Sequence, residues 1–165
     1  MIFNKEDKKA AHERAIFQAF CEAAQLPIVS GSVRSRRIPR PDIACLLGDK
    51  PYCAELVEIT DGDIAKMLDV TSKTGKSVAT SYSSDIPLIN SFKSKSLIDY
   101  QSDGTPLMLL AYYEKQYPVT FDPEFIPKHI GDIVYAMLKS GRWHSIWVYD
   151  HWKRIILWQK LRVAA

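Results

Sequence analysis

Pro41-Asp42 and Glu58 stand at the two ends of a segment patterned as a β-hairpin. Asp42 to Leu47 (DIACLL) is short and mostly apolar, Gly48-Asp49-Lys50-Pro51 is a turn signal, and Tyr52 to Thr60 (YCAELVEIT) is the returning strand. In an antiparallel pair around that turn, Asp42 and Glu58 approach the same end of the sheet. Side chains alternate along a strand, so Leu56, Glu58 and Thr60 share one face and Glu55, Val57 and Ile59 the other. A carboxylate among apolar neighbours is costly to bury unless it is paired, hydrogen-bonded or bound to metal. Two that converge make a hard-oxygen site suited to Mg2+ or Mn2+.

Two further groups bear on that pair. Glu13 precedes Phe17 by four residues and Phe20 by seven, which sets it on the apolar stripe of a helix. Either it approaches the same metal site or it lies at the exposed end of the stripe. Arg34, Arg36, Arg37 and Arg40 fall within seven residues, just ahead of Pro41-Asp42. Guanidinium groups there are placed to grip backbone phosphates in forked contacts. The bland alternative is an edge strand kept soluble by its charge.

The elements that must position these groups read as follows. Ile16, Phe17, Phe20 and Ala24 recur at helical spacing and predict a helix from about Lys5 to Gln25, ended by Leu26-Pro27. Ile28 to Ile38 reads as an extended arm. Asp61-Gly62-Asp63 opens a helix with Ile64, Met67 and Leu68 inward, followed by a Ser/Thr/Lys/Gly-rich loop from Thr71 to Asp85. A further helix from about Ile86 to Tyr100 carries Ile89, Phe92, Ser96 and Leu97 on one side. Pro106 to Tyr113 (PLMLLAYY) is the most apolar run and predicts a central buried strand. Phe125 to Ser140 is an amphipathic helix, and Ile146 to Tyr149 with Ile155 to Trp158 form a closing hairpin. That order predicts an α/β fold, a mixed central sheet flanked by helices.

A helix bearing Glu13, a strand opening on Pro41-Asp42, a strand bearing Glu58 and a helix after it resemble the PD-(D/E)XK nuclease-like superfamily. The likeness spans roughly residues 13 to 113. It implies a restriction-endonuclease-like fold and metal-dependent hydrolysis of phosphodiester bonds in nucleic acid. By position, Asp42 and Glu58 match the catalytic, metal-binding acids, with Glu13 as a third metal ligand. The motif lysine falls where this chain has Thr60, which cannot supply a positive charge. A migrated lysine repairs that gap from Lys66, or from Lys93 or Lys95, and the last two also join the arginines as nucleic-acid-binding residues. Taking Glu55 as the acid instead puts Val57 in the lysine place. The alternative to an enzyme is an inactive relative, acting as a nucleic-acid-binding module or protein–protein adaptor.

Composition sets the outer limits. With 165 residues, 47% hydrophobic and 25% charged, the chain predicts a single globular domain over residues 1–165. No apolar run reaches membrane-spanning length and the N-terminus lacks a signal-peptide pattern, so the expected location is cytoplasmic, with no membrane partner. Cys21, Cys45 and Cys53 show neither paired nor zinc-ligand spacing and read as core thiols. His12, His129, His144 and His151 show no metal-ligand spacing. Trp143, Trp147, Trp152 and Trp158 crowd the last hairpin, where they serve the core or a homodimer interface.

Overall fold

The computed structural model describes residues 4–60, 86–114 and 126–163. Helix α1 (Lys5–Ala23) begins where Asn4 caps it, its side chain accepting from the Asp7 amide at 2.9 Å, and Glu6 and Asp7 suit the positive end of the helix dipole. Its inner stripe is Ile16, Phe17, Phe20 and Cys21, all buried. Gln25, in the left-handed region at φ 54°, turns the chain out of the helix ahead of Pro27.

Strands β1 (Arg34–Ser35), β2 (Ile43–Leu47) and β3 (Lys50–Glu58) are joined antiparallel. The β2–β3 turn is tighter than the sequence suggests. Leu47 pairs with Lys50, so only Gly48 and Asp49 lie between them, with Gly48 at φ 62° and Pro51 already in the strand. Helix α2 (Ile86–Ser96), strand β4 (Leu107–Tyr113), helix α3 (Ile126–Lys139), strand β5 (Trp143–Asp150) and strand β6 (Ile155–Leu161) complete the described elements. They form one six-stranded sheet ordered β1-β2-β3-β4-β5-β6, parallel across β3–β4–β5 and antiparallel elsewhere.

Two parallel crossovers that step the same way across a sheet put their helices on one face, because such connections are right-handed. Accordingly Leu88 and Phe92 of α2 and Ile130, Val134 and Met137 of α3 pack together against Leu107, Leu109, Trp143 and Ile146. Helix α1 covers the opposite face, against Ile43, Ala54, Leu56, Met108, Leu110 and Trp147. β4 is buried on both faces, which explains why its sequence is unbroken apolar rather than alternating. The fold is α/β, a mixed sheet flanked by helices. Among the described residues no helix is long and apolar enough to cross a membrane.

Some local expectations change. The helix from Ile86 stops at Ser96 rather than Tyr100, so Leu97 is 85% exposed and Leu88 takes its place on the inner face beside Phe92. Of the extended arm, only Arg34–Ser35 and a bridge between Ile28 and Leu47 pair with the sheet. Trp143 and Trp147 are core residues, and Trp152 is the exposed member of the aromatic group. The helix expected after Asp63, with Ile64, Lys66, Met67 and Leu68, and the loop from Thr71 to Asp85 lie outside the described residues.

Candidate active site

The two-residue turn fixes the geometry of the acids. With Ile43 opposite Ala54, the next position outward sets Asp42 opposite Glu55. The two are clasped. The Asp42 amide donates to Glu55 Oε2 at 3.2 Å, and Asp42 Oδ2 accepts from the Leu56 amide at 2.9 Å. Glu55 is 4% exposed, on the face of β3 that meets α2 and α3. Its other oxygen, Oε1, accepts from Lys95 Nζ at 2.5 Å and from the Tyr100 hydroxyl at 2.8 Å. Lys95 belongs to the last turn of α2 and Tyr100 to the segment just after it, so the end of that helix and the chain leaving it bring the two groups to the acid.

The electrostatics follow from burial. Glu55 titrates above the ordinary carboxylate range, first because it is desolvated and then because Asp42 is close, while Lys95 and Tyr100 oppose the rise. The Tyr100 hydroxyl is itself pushed up, by burial and by Glu55. Glu13 approaches from α1, and its carboxyl is raised by burial and by Asp42, with Lys9 working against both. Lys9 Nζ lies 3.4 Å from Glu13 Oε1, and that acid, with smaller contributions from Asp42 and Glu55, holds the lysine above its usual value. Glu13, Asp42, Glu55 and Lys95 are thus gathered in one neighbourhood around the start of β2.

Glu58 lies on the other face of β3, yet near enough to Glu13 and Asp42 for all three acids to act on the Tyr112 hydroxyl. Alternation sets it with Ala54 and Leu56 on the α1 face, opposite Tyr112 in register, and its charge helps raise the Tyr112 hydroxyl after burial. The acid that faces Asp42 is therefore Glu55. With Glu55 in that role the position two residues on is Val57, and the lysine beside the acid comes from α2, as Lys95. Lys93 is exposed on the same helix, and Lys66 is outside the described residues. The signal that finds Glu55 from sequence is the turn length, since a two-residue turn at Gly48-Asp49 sets the register that a four-residue reading misses.

The arginine arm lies beside these acids. Arg14 Nη1 donates to Ser35 Oγ at 2.7 Å, and that hydroxyl donates to the Ala10 carbonyl at 3.2 Å, which pins β1 to α1. The Arg36 amide donates to the Asp42 carbonyl at 2.7 Å, and the Gln101 amide to the Pro39 carbonyl at 3.0 Å. The arm is thereby tied to the start of β2 and to the segment carrying Tyr100, with Arg34, Arg36, Arg37 and Arg40 all exposed. Arg36 is near enough to Cys53 for its charge to offset part of the rise that burial imposes on that thiol. The three cysteines are free and buried. His12, which has no telling spacing in sequence, joins α1 to the end of β4 through Glu114, Nε2 to Oε1 at 2.9 Å.

Among the described residues no group of three His, Cys, Asp or Glu side chains is drawn tightly enough to enclose a metal ion. The pair Asp42 and Glu55 remains a hard-oxygen set of the kind that magnesium takes with water and substrate oxygens supplying the rest. A scan of protein-family models, a search of curated proteins and a search of solved structures each found no match to this chain.

Proposed function

We propose that the chain is a metal-dependent, nuclease-like hydrolase of phosphodiester bonds in nucleic acid, with its site at Asp42, Glu55 and Lys95. The observation that carries this reading is Lys95 Nζ resting on Glu55 directly beside Asp42. Two acids and a lysine in one cluster are the parts that the nuclease-like resemblance asks for, and Lys95 supplies the charge that Thr60 and Val57 cannot. A mixed sheet with helices on both faces is compatible with a restriction-endonuclease-like fold.

Asp42 and Glu55 would hold Mg2+ or Mn2+, with Glu13 facing the same region from α1. When bound, such an ion lowers the pKa of a coordinated water and offsets charge on the phosphate. Lys95 keeps a cation at the acid, where it balances negative charge brought in by the substrate and orients a water for attack. Tyr100 fixes the Glu55 carboxylate by donating to the same oxygen as Lys95. The arm residues Arg34, Arg36, Arg37 and Arg40, with Lys93, would position the backbone through phosphate contacts that carry no sequence information.

The test is cleavage of labelled single- and double-stranded DNA and RNA with Mg2+ or Mn2+. Asp42→Asn and Glu55→Gln should each reduce the rate on the order of 10²-fold or more, and Lys95→Gln should reduce it as well, while Glu58→Gln should matter far less. Activity that survives both Asp42→Asn and Glu55→Gln would sink the assignment. One observation favours a second reading, a nucleic-acid-binding module without catalysis: both Glu55 oxygens already accept from protein donors. Salt-sensitive binding with no cleavage under any metal would select that reading.

A further inference from the structure

A cavity of about 360 Å3 opens beside the candidate active site, between the segment after α2 and the start of β5. Its walls include Tyr100, Thr105, Arg142, Trp143, His144 and Arg162. At the small end of ligand pockets (about 300–1,000 Å3), it has room for one nucleotide-sized group rather than a length of chain.

Its charge is positive and little compensated. Arg162 Nη1 donates to the Gly141 carbonyl at 3.1 Å, and its guanidinium lies 3.7 Å from where a Cβ on Gly141 would stand. That anchor is a neutral oxygen, so the arginine is held in place without losing its charge, and no carboxylate partners it among the described residues. Arg142 is anchored likewise by the Ser96 carbonyl, at 3.4 Å from Nη2. Its acidic neighbour, Asp99, lies 3.6 Å from Nη1 and is 89% exposed, so water screens that pair strongly. Each guanidinium has five donors, and these contacts use one or two. Two anchored arginines on one concave wall are built for the fork geometry of a phosphate.

Tyr100 joins the cavity to the acids. Its ring is part of the wall, edge-on to Trp143 with centroids 5.8 Å apart, while its hydroxyl donates to Glu55. The arm reaches the same place through the bond between Gln101 and Pro39.

We propose that this cavity is a phosphate-binding subsite for one nucleotide of the substrate, held by Arg142 and Arg162 next to the cluster of Asp42, Glu55 and Lys95. Its place in cleavage rests on the nuclease reading above, whereas its affinity for a nucleotide phosphate does not. The test is isothermal titration of the full chain, without metal, with adenosine monophosphate and with adenosine. The phosphate-bearing ligand should bind and adenosine should bind at least tenfold more weakly. Arg142→Gln and Arg162→Gln should each weaken the monophosphate by about tenfold, the loss of one charge-assisted contact, with melting curves confirming that both variants fold. The proposal is overturned if no binding is seen at millimolar monophosphate, if adenosine binds as tightly, or if both arginine variants bind as the parent does. Because no cleavage is measured, a chain that binds but does not cut upholds the subsite while the nuclease reading fails, and a chain that cuts but does not bind does the reverse.

Discussion

Glu55 is a buried acid with a lysine, a tyrosine and a backbone amide on its two oxygens. Because its folded-state pKa lies above the ordinary 4.5, the native protein holds that proton more tightly than the unfolded chain. The resulting stabilisation is fully present below the unfolded value and is lost as pH rises through the folded one. Glu13 contributes with the same sign. Unfolding free energy measured by denaturant from about pH 4 to about pH 8 should therefore fall less steeply in Glu55→Gln than in the parent; parallel curves would show that Glu55 is not the group responsible. Lys95 tests the other half of the pair. Lys95→Met leaves a carboxylate that is 5% exposed without its nearest cation, and should cost about 3 kcal/mol near neutral pH. Most of that loss should return in the double variant with Glu55→Gln, since the charge left stranded is then gone.

At the scale of elements, α1 is the clamp that keeps β2 and the arm in place. Phe20 is fully buried and meets Trp147 and Tyr149 edge-on, with ring centroids 5.2 and 5.8 Å away. Phe20→Ala should lower stability by about 3–5 kcal/mol, seen as a large drop in melting temperature; a drop of only a degree or two would mean that α1 is not packed as described. The helix periodicity and the buried strand at Pro106–Tyr113 were legible in sequence, because each is a local pattern of residue types. The end of α2 was less so. Ser96 and Leu97 continue the apolar spacing, yet the helix stops at Ser96, and the chain leaves it so that Tyr100 can reach Glu55. A tertiary contact with β3, on the face that α2 covers, stands there in place of the local pattern.

Over the whole molecule, the sheet divides the interior into two cores, one under α1 and one under α2 and α3. Cys21 and Cys45 lie in the first and Cys53 in the second, and burial pushes the Cys21 and Cys45 thiols up to about 12. Thiolates are the reactive form, so a disulfide-based thiol reagent should modify the native protein slowly near neutral pH and rapidly once it is unfolded. Fast modification of all three in the native state would contradict the buried placement. The modest net charge of +3 gives no strong signal for a nucleic-acid partner by itself. It is the grouping of the arm arginines, tied by backbone bonds to Asp42 and Gln101, that turns an ordinary total into a local field beside the acids.

The sequence alone determined the secondary elements it could spell locally, and with them the α/β class, the hairpin after Pro41-Asp42 and the presence of Asp42 and the arginines ahead of it. It also held Lys95 as one candidate lysine and Glu55 as a second candidate acid. Only the tertiary structure decided that these two belong together. That Asp42 faces Glu55 rather than Glu58 follows from strand register, which a turn of two residues rather than four sets and which alternation then converts into opposite faces of the sheet. Lys95 was chosen by the crossover that carries α2 back over β3, across 40 residues of chain. Periodicity and turn chemistry act over a few residues, whereas a charge pair at that separation exists only once the sheet has closed.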